Sequence, residues 1–376
     1  MALRNILFIR PGPTMAVDDN MYDELSKYYS GAVVTSSRRP EIIKKSKSGT
    51  FDFYCHREPV SRPWLSTLRF FRRTILRCIS WRIKGRHFDL VVTYDPLKTG
   101  ILGAICALVF GSRFVPEING VYTSPAVYMD DADLLSTKLR KWAYPKIEGW
   151  VLSRAHGARM LFPTQCAPFQ RQLDGKPVAA FHCQVNIQPF LRCGDSQARN
   201  QVLVAGFPFY LKGVDILIRA FKLVADEFPD WHLKILGWYP DRSMLLKEID
   251  NHPRIFHHPP VYPHEMPAQM QECSVFVLPS RSEAMGRVLV EAMAAGKPSI
   301  GANVDGIPTV INDGVDGLLF APEDAADLSQ KLRLLLSDPP LRDRMGRAGR
   351  ERVRIEFSDE AFFRNLRLFY ESVLSV

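Results

Sequence analysis

Short, mostly apolar runs alternating with helical stretches constrain this chain more than any other feature. In its second half Gln201–Ala205, His232–Leu236, Arg254–His257, Val275–Leu278 and Ser299–Gly301 predict strands. Among and after them, Val214–Glu227, Ser243–Ile249, Met266–Glu272, Arg287–Ala295 and Ala325–Leu336 predict helices. A strand that is apolar throughout is buried on both faces, and strand–helix alternation is the pattern of a parallel sheet covered by helices. The first half repeats the theme, with strands at Asn5–Ile9, Phe88–Tyr94 and Arg113–Ile118 and helices over Asp18–Tyr29 and Thr99–Val109. A polar, turn-rich stretch, 191–200, separates the two series. With 376 residues to bury, two α/β domains are expected, 1–192 and 193–357, followed by a last helix over 358–376. Successive sheets of this kind bind ligand in the cleft beyond their strand ends.

Charge divides the same halves. Residues 1–200 carry 29 Lys and Arg against 16 Asp and Glu, whereas the remainder carries 20 against 24. The first domain is therefore expected to meet something anionic, whether nucleic acid, a phospholipid surface or a phosphorylated acceptor. Within 62–86, Leu65, Leu68, Phe71, Ile75 and Ile79 recur at helical spacing beside Arg69, Arg72, Arg73 and Arg77. That is either a basic amphipathic helix for an anionic membrane surface or an ordinary helix packed on the sheet with a solvated basic edge. The seven cysteines include no Cys-x-x-Cys and no zinc-finger spacing, so they read as free thiols in a reducing compartment. Gly100–Gly111 is the longest apolar stretch, shorter than the roughly twenty residues a spanning helix needs. Residues 1–10 are too short in apolar run for a signal peptide. A cytoplasmic protein, peripheral on the cytoplasmic face of a membrane, is the expectation.

The chemistry concentrates in residues 279–298. The strand Val275–Leu278 ends at Pro279, a polar loop carries Glu283, and a helix opens near Gly286. The free N–H groups and positive dipole end of such a helix form a phosphate site. Glu291 follows about 7 Å along the helix axis, at about 1.5 Å per residue. One carboxylate thus precedes the anion site and one follows it, which suits a diphosphate with a hydroxylated ring on each side, the form of a nucleotide sugar. Glu291 sits among Val288, Leu289, Val290, Ala292 and Met293, where an unpaired carboxylate is costly, so it needs a partner in ligand or protein. A second strand, ending at Gly206, leads to Lys212-Gly213 at another helix start, where a lysine can neutralise a leaving diphosphate.

Lys212-Gly213, Glu283 with Glu291, Ala292-Met-Ala-Ala-Gly-Lys-Pro298, Asp305-Gly-Ile-Pro308 and Asn312-Asp-Gly-Val-Asp-Gly-Leu-Leu-Phe320 together resemble family-4 retaining glycosyltransferases of the GT-B fold, which use nucleotide sugars. The resemblance covers 200–335 in order; over 1–190 it is one of strand and helix order. It implies two Rossmann-like domains with parallel sheets facing across a cleft, the last helix packing back on the first. It implies a hexosyltransferase acting on a UDP- or GDP-sugar, with a glycan or lipid-linked acceptor and no metal. Glu283 would contact the donor sugar near the reacting carbon, Lys212 the diphosphate and Glu291 the ribose. Backbone N–H groups at Met285, Gly286 and Arg287 would hold phosphate or sugar oxygens, with Ala284, Val288 and Gly206 also lining the donor. The base would lie near Pro260–Tyr262, at Val261. Three positions depart from the family: Phe207 stands where an arginine is usual, with Arg281 or Arg287 as substitute cations; Pro11-Gly-Pro-Thr14 replaces a Gly-Gly loop, leaving Gly12 on the acceptor side; and Asn119 stands for a histidine there. Asp130-Asp-Ala-Asp133 imitates a metal-binding Asp-x-Asp and reads as a solvated loop. No dinucleotide-binding glycine fingerprint follows a strand, and no nucleic acid is expected as partner. A GT-B sugar-nucleotide epimerase or phosphorylase, and a non-catalytic relative binding membrane or nucleic acid, are the alternatives.

Overall fold

A computed structural model describes residues 3–10, 21–37, 47–57, 63–130, 134–194, 199–239 and 242–375. Contacts divide the chain into two compact units: Met1–Gly120 with Trp142–Phe181 and Phe363–Val376, and Val121–Lys141 with His182–Phe362.

The first unit is built on strands β1 (Arg4–Ile9), β2 (Tyr29–Ser37), β3 (Lys47–Ser48), β4 (Phe51–Arg57), β5 (Leu90–Thr93) and β6 (Arg113–Pro116), in the order β3-β4-β2-β1-β5-β6. All neighbours are parallel except β3 with β4. A small parallel pair, β7 (Ala158–Met160) with β8 (Val178–Ala180), accompanies it. Phe8 of β1 is fully enclosed, with Tyr22, Phe51 and Tyr370 around it. The Tyr370 hydroxyl donates to Glu117 (3.0 Å), which also receives Arg159 (3.2 Å). Both charged groups are buried, so each satisfies the other's need for a partner.

The second unit carries β9 (Gln201–Ala205), β10 (His232–Leu236), β11 (Ile255–His258), β12 (Val275–Leu278), β13 (Ser299–Ala302) and β14 (Leu318–Phe320), all parallel, in the order β11-β10-β9-β12-β13-β14. Every residue of β9, β12 and β13 is buried, as continuous apolar runs require when helices cover both faces. The chain steps outward from β9 in one direction, then returns to lay β12 on its other side. That reversal opens a crevice at the strand ends.

Three sequence expectations are corrected. The helix expected over Asp18–Tyr29 is described from Met21 to Leu25, and Tyr29 already opens β2, because the β-branched run after it favours a strand. In the helix Pro63–Ile83 the buried face is Ser66, Phe70, Thr74, Cys78 and Trp81, while Leu68 and Ile79 of the expected stripe are 59% and 40% exposed. Small side chains on the buried face let this helix approach the helix Lys98–Phe110 closely, Cys78 Sγ lying 3.5 Å from Cys106 Sγ. Asp130 is half-buried and accepts two backbone N–H groups, as described below; Asp131–Asp133 lie outside the described residues, as do Pro11–Thr14 with Gly12. No helix among the described residues is long and apolar enough to cross a membrane.

Candidate active site at the ends of β9 and β12

Two loops leave the adjacent strands β9 and β12 on the same side of the sheet. The first, 206–213, leads to the helix Val214–Val224; the second, 279–286, leads to the helix Arg287–Ala294. Each helix begins at a glycine in the left-handed region, Gly213 at φ 62° and Gly286 at φ 79°. A side chain at Gly213 would place its Cβ 1.9 Å from the Pro279 carbonyl oxygen. The two loops therefore touch backbone to backbone, and only glycine permits it.

This approach brings Lys212 and Glu283 into a mostly buried ion pair, Nζ on Oε2. Gly206 leaves room for the lysine stem, since a Cβ there would lie 3.1 Å from Lys212 Cγ. The Glu283 loop is pinned from below: Asp305 accepts from the Ser282 hydroxyl (2.5 Å) and the Glu283 N–H (3.1 Å), and the Gly306 N–H donates to the Glu283 carbonyl (3.0 Å). Beyond it, the backbone N–H groups of Met285, Gly286, Arg287 and Val288 donate to no protein acceptor among the described residues. Four such donors at a helix start, with a lysine nearby, are the kind of group that can hold an anion.

Glu291 lies one turn into that helix, half-buried, and no protein donor among the described residues hydrogen-bonds to it. Burial pushes its pKa up to about 7, against the opposing pull of Arg287. The expected partner is therefore not a protein hydrogen-bond donor. Arg287 is exposed and joins no ion pair among the described residues. Arg281, the other candidate for the missing cation, is committed elsewhere. It forks onto buried Asp215 (2.7 and 2.8 Å), meets Glu323 (2.6 Å) and donates to the Tyr210 carbonyl (2.6 Å). It locks the loop rather than facing a ligand.

Phe207, in the place of the usual arginine, is 46% exposed and packs on the equally open Trp238, ring centroids 5.1 Å apart. Val261 follows β11, two strands from β9, and nothing in the unit pairs it with Glu283. Asn119, in the first unit, already donates to the Tyr94 carbonyl (2.9 Å) and accepts from Arg159 (3.2 Å). Ala284 lies in the 279–286 loop beside Glu283. No three His, Cys, Asp or Glu among the described residues are grouped to hold a metal ion.

Sequence reading missed Asp130. Its two carboxylate oxygens accept the N–H groups of Tyr210 (2.9 Å) and Leu211 (2.8 Å), the residues just before Lys212. A charged acceptor on two otherwise unpaired donors is a strong tie. Asp130→Ala is expected to loosen this loop and weaken diphosphate binding roughly tenfold, worth about 1.4 kcal/mol, while turnover at saturation changes little. Titration of UDP together with steady-state kinetics checks it; unchanged affinity would show that the loop holds its shape without the cap.

Residues 195–352 match the family described as glycosyl transferases group 1. A D-inositol 3-phosphate glycosyltransferase of Arthrobacter sp. (strain FB24) is 36% identical over 154 residues, 39% of this chain and 37% of that protein. The homonymous protein of Streptomyces scabiei is 31% identical over 288 residues, 70% of this chain and 63% of its own length. The sulfoquinovosyl transferase of Arabidopsis thaliana is 35% identical over 142 residues, 37% of this chain and 28% of its own. The chain thus spans less than two thirds of these curated relatives. Among solved structures, sucrose-phosphate synthase from Thermosynechococcus elongatus superposes with a TM-score of 0.76 at 19% identity, covering 99% of both chains. Anabaena HepE in complex with UDP-glucose does so at 0.70 and 16% identity, over 99% of this chain and 100% of that one. With two α/β sheets, parallel but for β3, and these neighbours the fold is GT-B, and within it residues 195–352 match the group 1 glycosyl transferases.

Proposed function

We propose that this protein is a retaining glycosyltransferase that moves a hexose from a UDP- or GDP-sugar to a glycan or lipid-linked acceptor. The observation that carries the reading is the anion site at Gly286, with Lys212 and Glu283 on one side and an unpartnered Glu291 on the other. HepE, a structural neighbour, binds UDP and UDP-glucose, which supports a nucleotide-sugar donor here. In this reading the diphosphate accepts the N–H groups of 285–288, with Lys212 and Arg287 neutralising its charge, so that no metal is needed. Lys212 has three protons to donate and serves Glu283 and phosphate together. Glu283 faces the sugar near its anomeric carbon. The bond from that carbon to the phosphate oxygen breaks, the acceptor oxygen bonds on the same face, and the acceptor's proton passes to the departing diphosphate. The protein's contribution is positioning and charge stabilisation. Exposed Arg73 and Lys84, with the exposed apolar side chains Leu68, Leu76, Ile79 and Ile83 within 62–86, support an anionic membrane surface as the place of work.

Glu291 makes the reading testable by pH. A carboxyl whose folded pKa is raised stabilises the free protein least where it is ionised: its contribution, full below about 4.5, is lost as pH rises through about 7. A ribose diol donates to an ionised carboxylate and pulls that pKa back down. UDP or GDP affinity is therefore expected to strengthen as pH rises from 5 to 8, and to become weaker and nearly flat with pH in Glu291→Gln. Calorimetric titration decides it. If neither nucleotide binds, the functional reading fails; if binding is identical in the variant, the assignment of Glu291 fails.

A further inference from the structure

A cavity of about 540 Å³ opens in the first unit between the end of β4 and the helix Pro63–Ile83. Its walls hold Arg57, Arg73, Arg77 and Lys84, and no aspartate or glutamate among the described residues. Among the described residues no carboxylate pairs with these cations. Asp52, the acid on β4, is engaged by Arg86 at 3.0 Å and does not line the cavity. Instead the cations are held by uncharged contacts. The Arg77 guanidinium lies over the Tyr54 ring, 4.4 Å from its centroid, and Arg73 Nη1 reaches the Arg57 carbonyl at 3.5 Å. His56 lines the same space with its ring nine-tenths buried, and its Nε2 has no hydrogen-bond partner. Burial, then Arg77 and Arg73, push the His56 pKa down to about 4, so the imidazole is neutral while the surrounding cations join no ion pair among the described residues.

Four like charges around a concavity walled partly by Trp81 repel one another. The arrangement is stabilised by an anion that spreads its charge over several oxygens. A carboxylate offers two oxygens to one fork; a phosphate offers three, and guanidinium forks match it bidentately. We propose that this cavity binds a phosphate group, carried either by a soluble phosphomonoester or by a lipid headgroup. The inference does not rest on the donor reading, because none of its residues belongs to the second unit.

The site is separable from the basic outer face of the same helix. Arg69 and Arg72 are exposed and do not line the cavity, whereas exposed Arg73 and Lys84 do. The full chain is titrated calorimetrically with inorganic phosphate and glycerol 3-phosphate. It is also sedimented with phosphatidylcholine vesicles with and without phosphatidic acid. Arg73→Ala/Lys84→Ala is expected to weaken binding at least about tenfold, some 1.4 kcal/mol, and Arg69→Ala/Arg72→Ala to leave it nearly unchanged. That ranking with the soluble probes assigns a soluble phosphomonoester. The same ranking seen only with phosphatidic acid vesicles assigns a headgroup. Equal losses in both variants would mean a diffuse basic surface and overturn the site, as would the absence of binding to every probe. Should the first double variant melt below the wild type, Lys84→Glu alone, just past the helix end, carries the same test.

Discussion

Glu283→Gln is expected to lower turnover by about two to three orders of magnitude, the usual cost of removing one group aimed at transition-state charge. As the anomeric carbon loses its phosphate oxygen it becomes electron-poor, and a carboxylate beside it is worth more at that moment than in the ground state. A hundredfold loss corresponds to about 2.7 kcal/mol of barrier. Glutamine keeps the shape of the side chain and can still accept from Lys212, so the Asp305 and Gly306 ties to the loop backbone should survive. The affinity for UDP, which lacks the sugar, should therefore change by less than about threefold, a few tenths of a kcal/mol. Lys212→Ala should show the reverse emphasis, with UDP binding falling at least about tenfold. Single-turnover rates beside nucleotide titrations separate the two. If Glu283→Gln lost nucleotide affinity in proportion to turnover, its role would reduce to holding the lysine.

The second unit was far more legible than the first, and the reason is burial. β9 and β12 lie at the bounds read from the sequence and are buried at every residue, because a strand enclosed on both faces is apolar along nearly its whole length; β10 was legible from Leu233, Ile235 and Leu236, although His232 and Lys234 are polar and half-buried. β2 and β4 escaped because their far ends carry Thr35, Ser36, Ser37 and His56, which are buried though polar. The helix Leu134–Arg154 escaped for the opposite reason: Pro145 interrupts it, and Leu135, Leu139 and Trp142 are exposed, so its apolar residues do not trace its buried face. In the candidate site, Lys212, Glu283 and Glu291 could be singled out because each sits at a helix start or on a buried helix with a local signature. Asp130 could not. Its tie to Tyr210 and Leu211 crosses about eighty residues, and local spacing carries no trace of a contact that distant. Arg281 was misjudged for the same cause, since Asp215 and Glu323, which absorb its charge, are far from it in sequence.

Gly213→Ala should be the most damaging single methyl this chain can receive in its second unit. Two penalties add. The left-handed backbone at φ 62° costs a non-glycine residue roughly 1–2 kcal/mol. The new Cβ would also stand 1.9 Å from the Pro279 carbonyl oxygen and 2.8 Å from its carbon, an overlap with backbone that no rotamer relieves. Gly314 supplies the control: it has φ 76°, but a Cβ there meets nothing within 4 Å. Gly286 is intermediate, its nearest contacts being the Leu278 and Leu289 side chains at 3.0 and 3.1 Å, which can shift. The expected order of destabilisation is Gly213 over Gly286 over Gly314. Gly213→Ala should lose at least about 3 kcal/mol, a value reached only by backbone or core disruption, and melt some 6–12 °C lower. Because the strain falls where the two loops meet, folded Gly213→Ala at low temperature should also lose activity, Lys212 being carried away from Glu283. Thermal melts of the three alanine variants decide the matter. A Gly213→Ala melt within 2 °C of Gly314→Ala would mean that the loops from β9 and β12 do not meet at this carbonyl, and the anion site would lose the contact that assembles it.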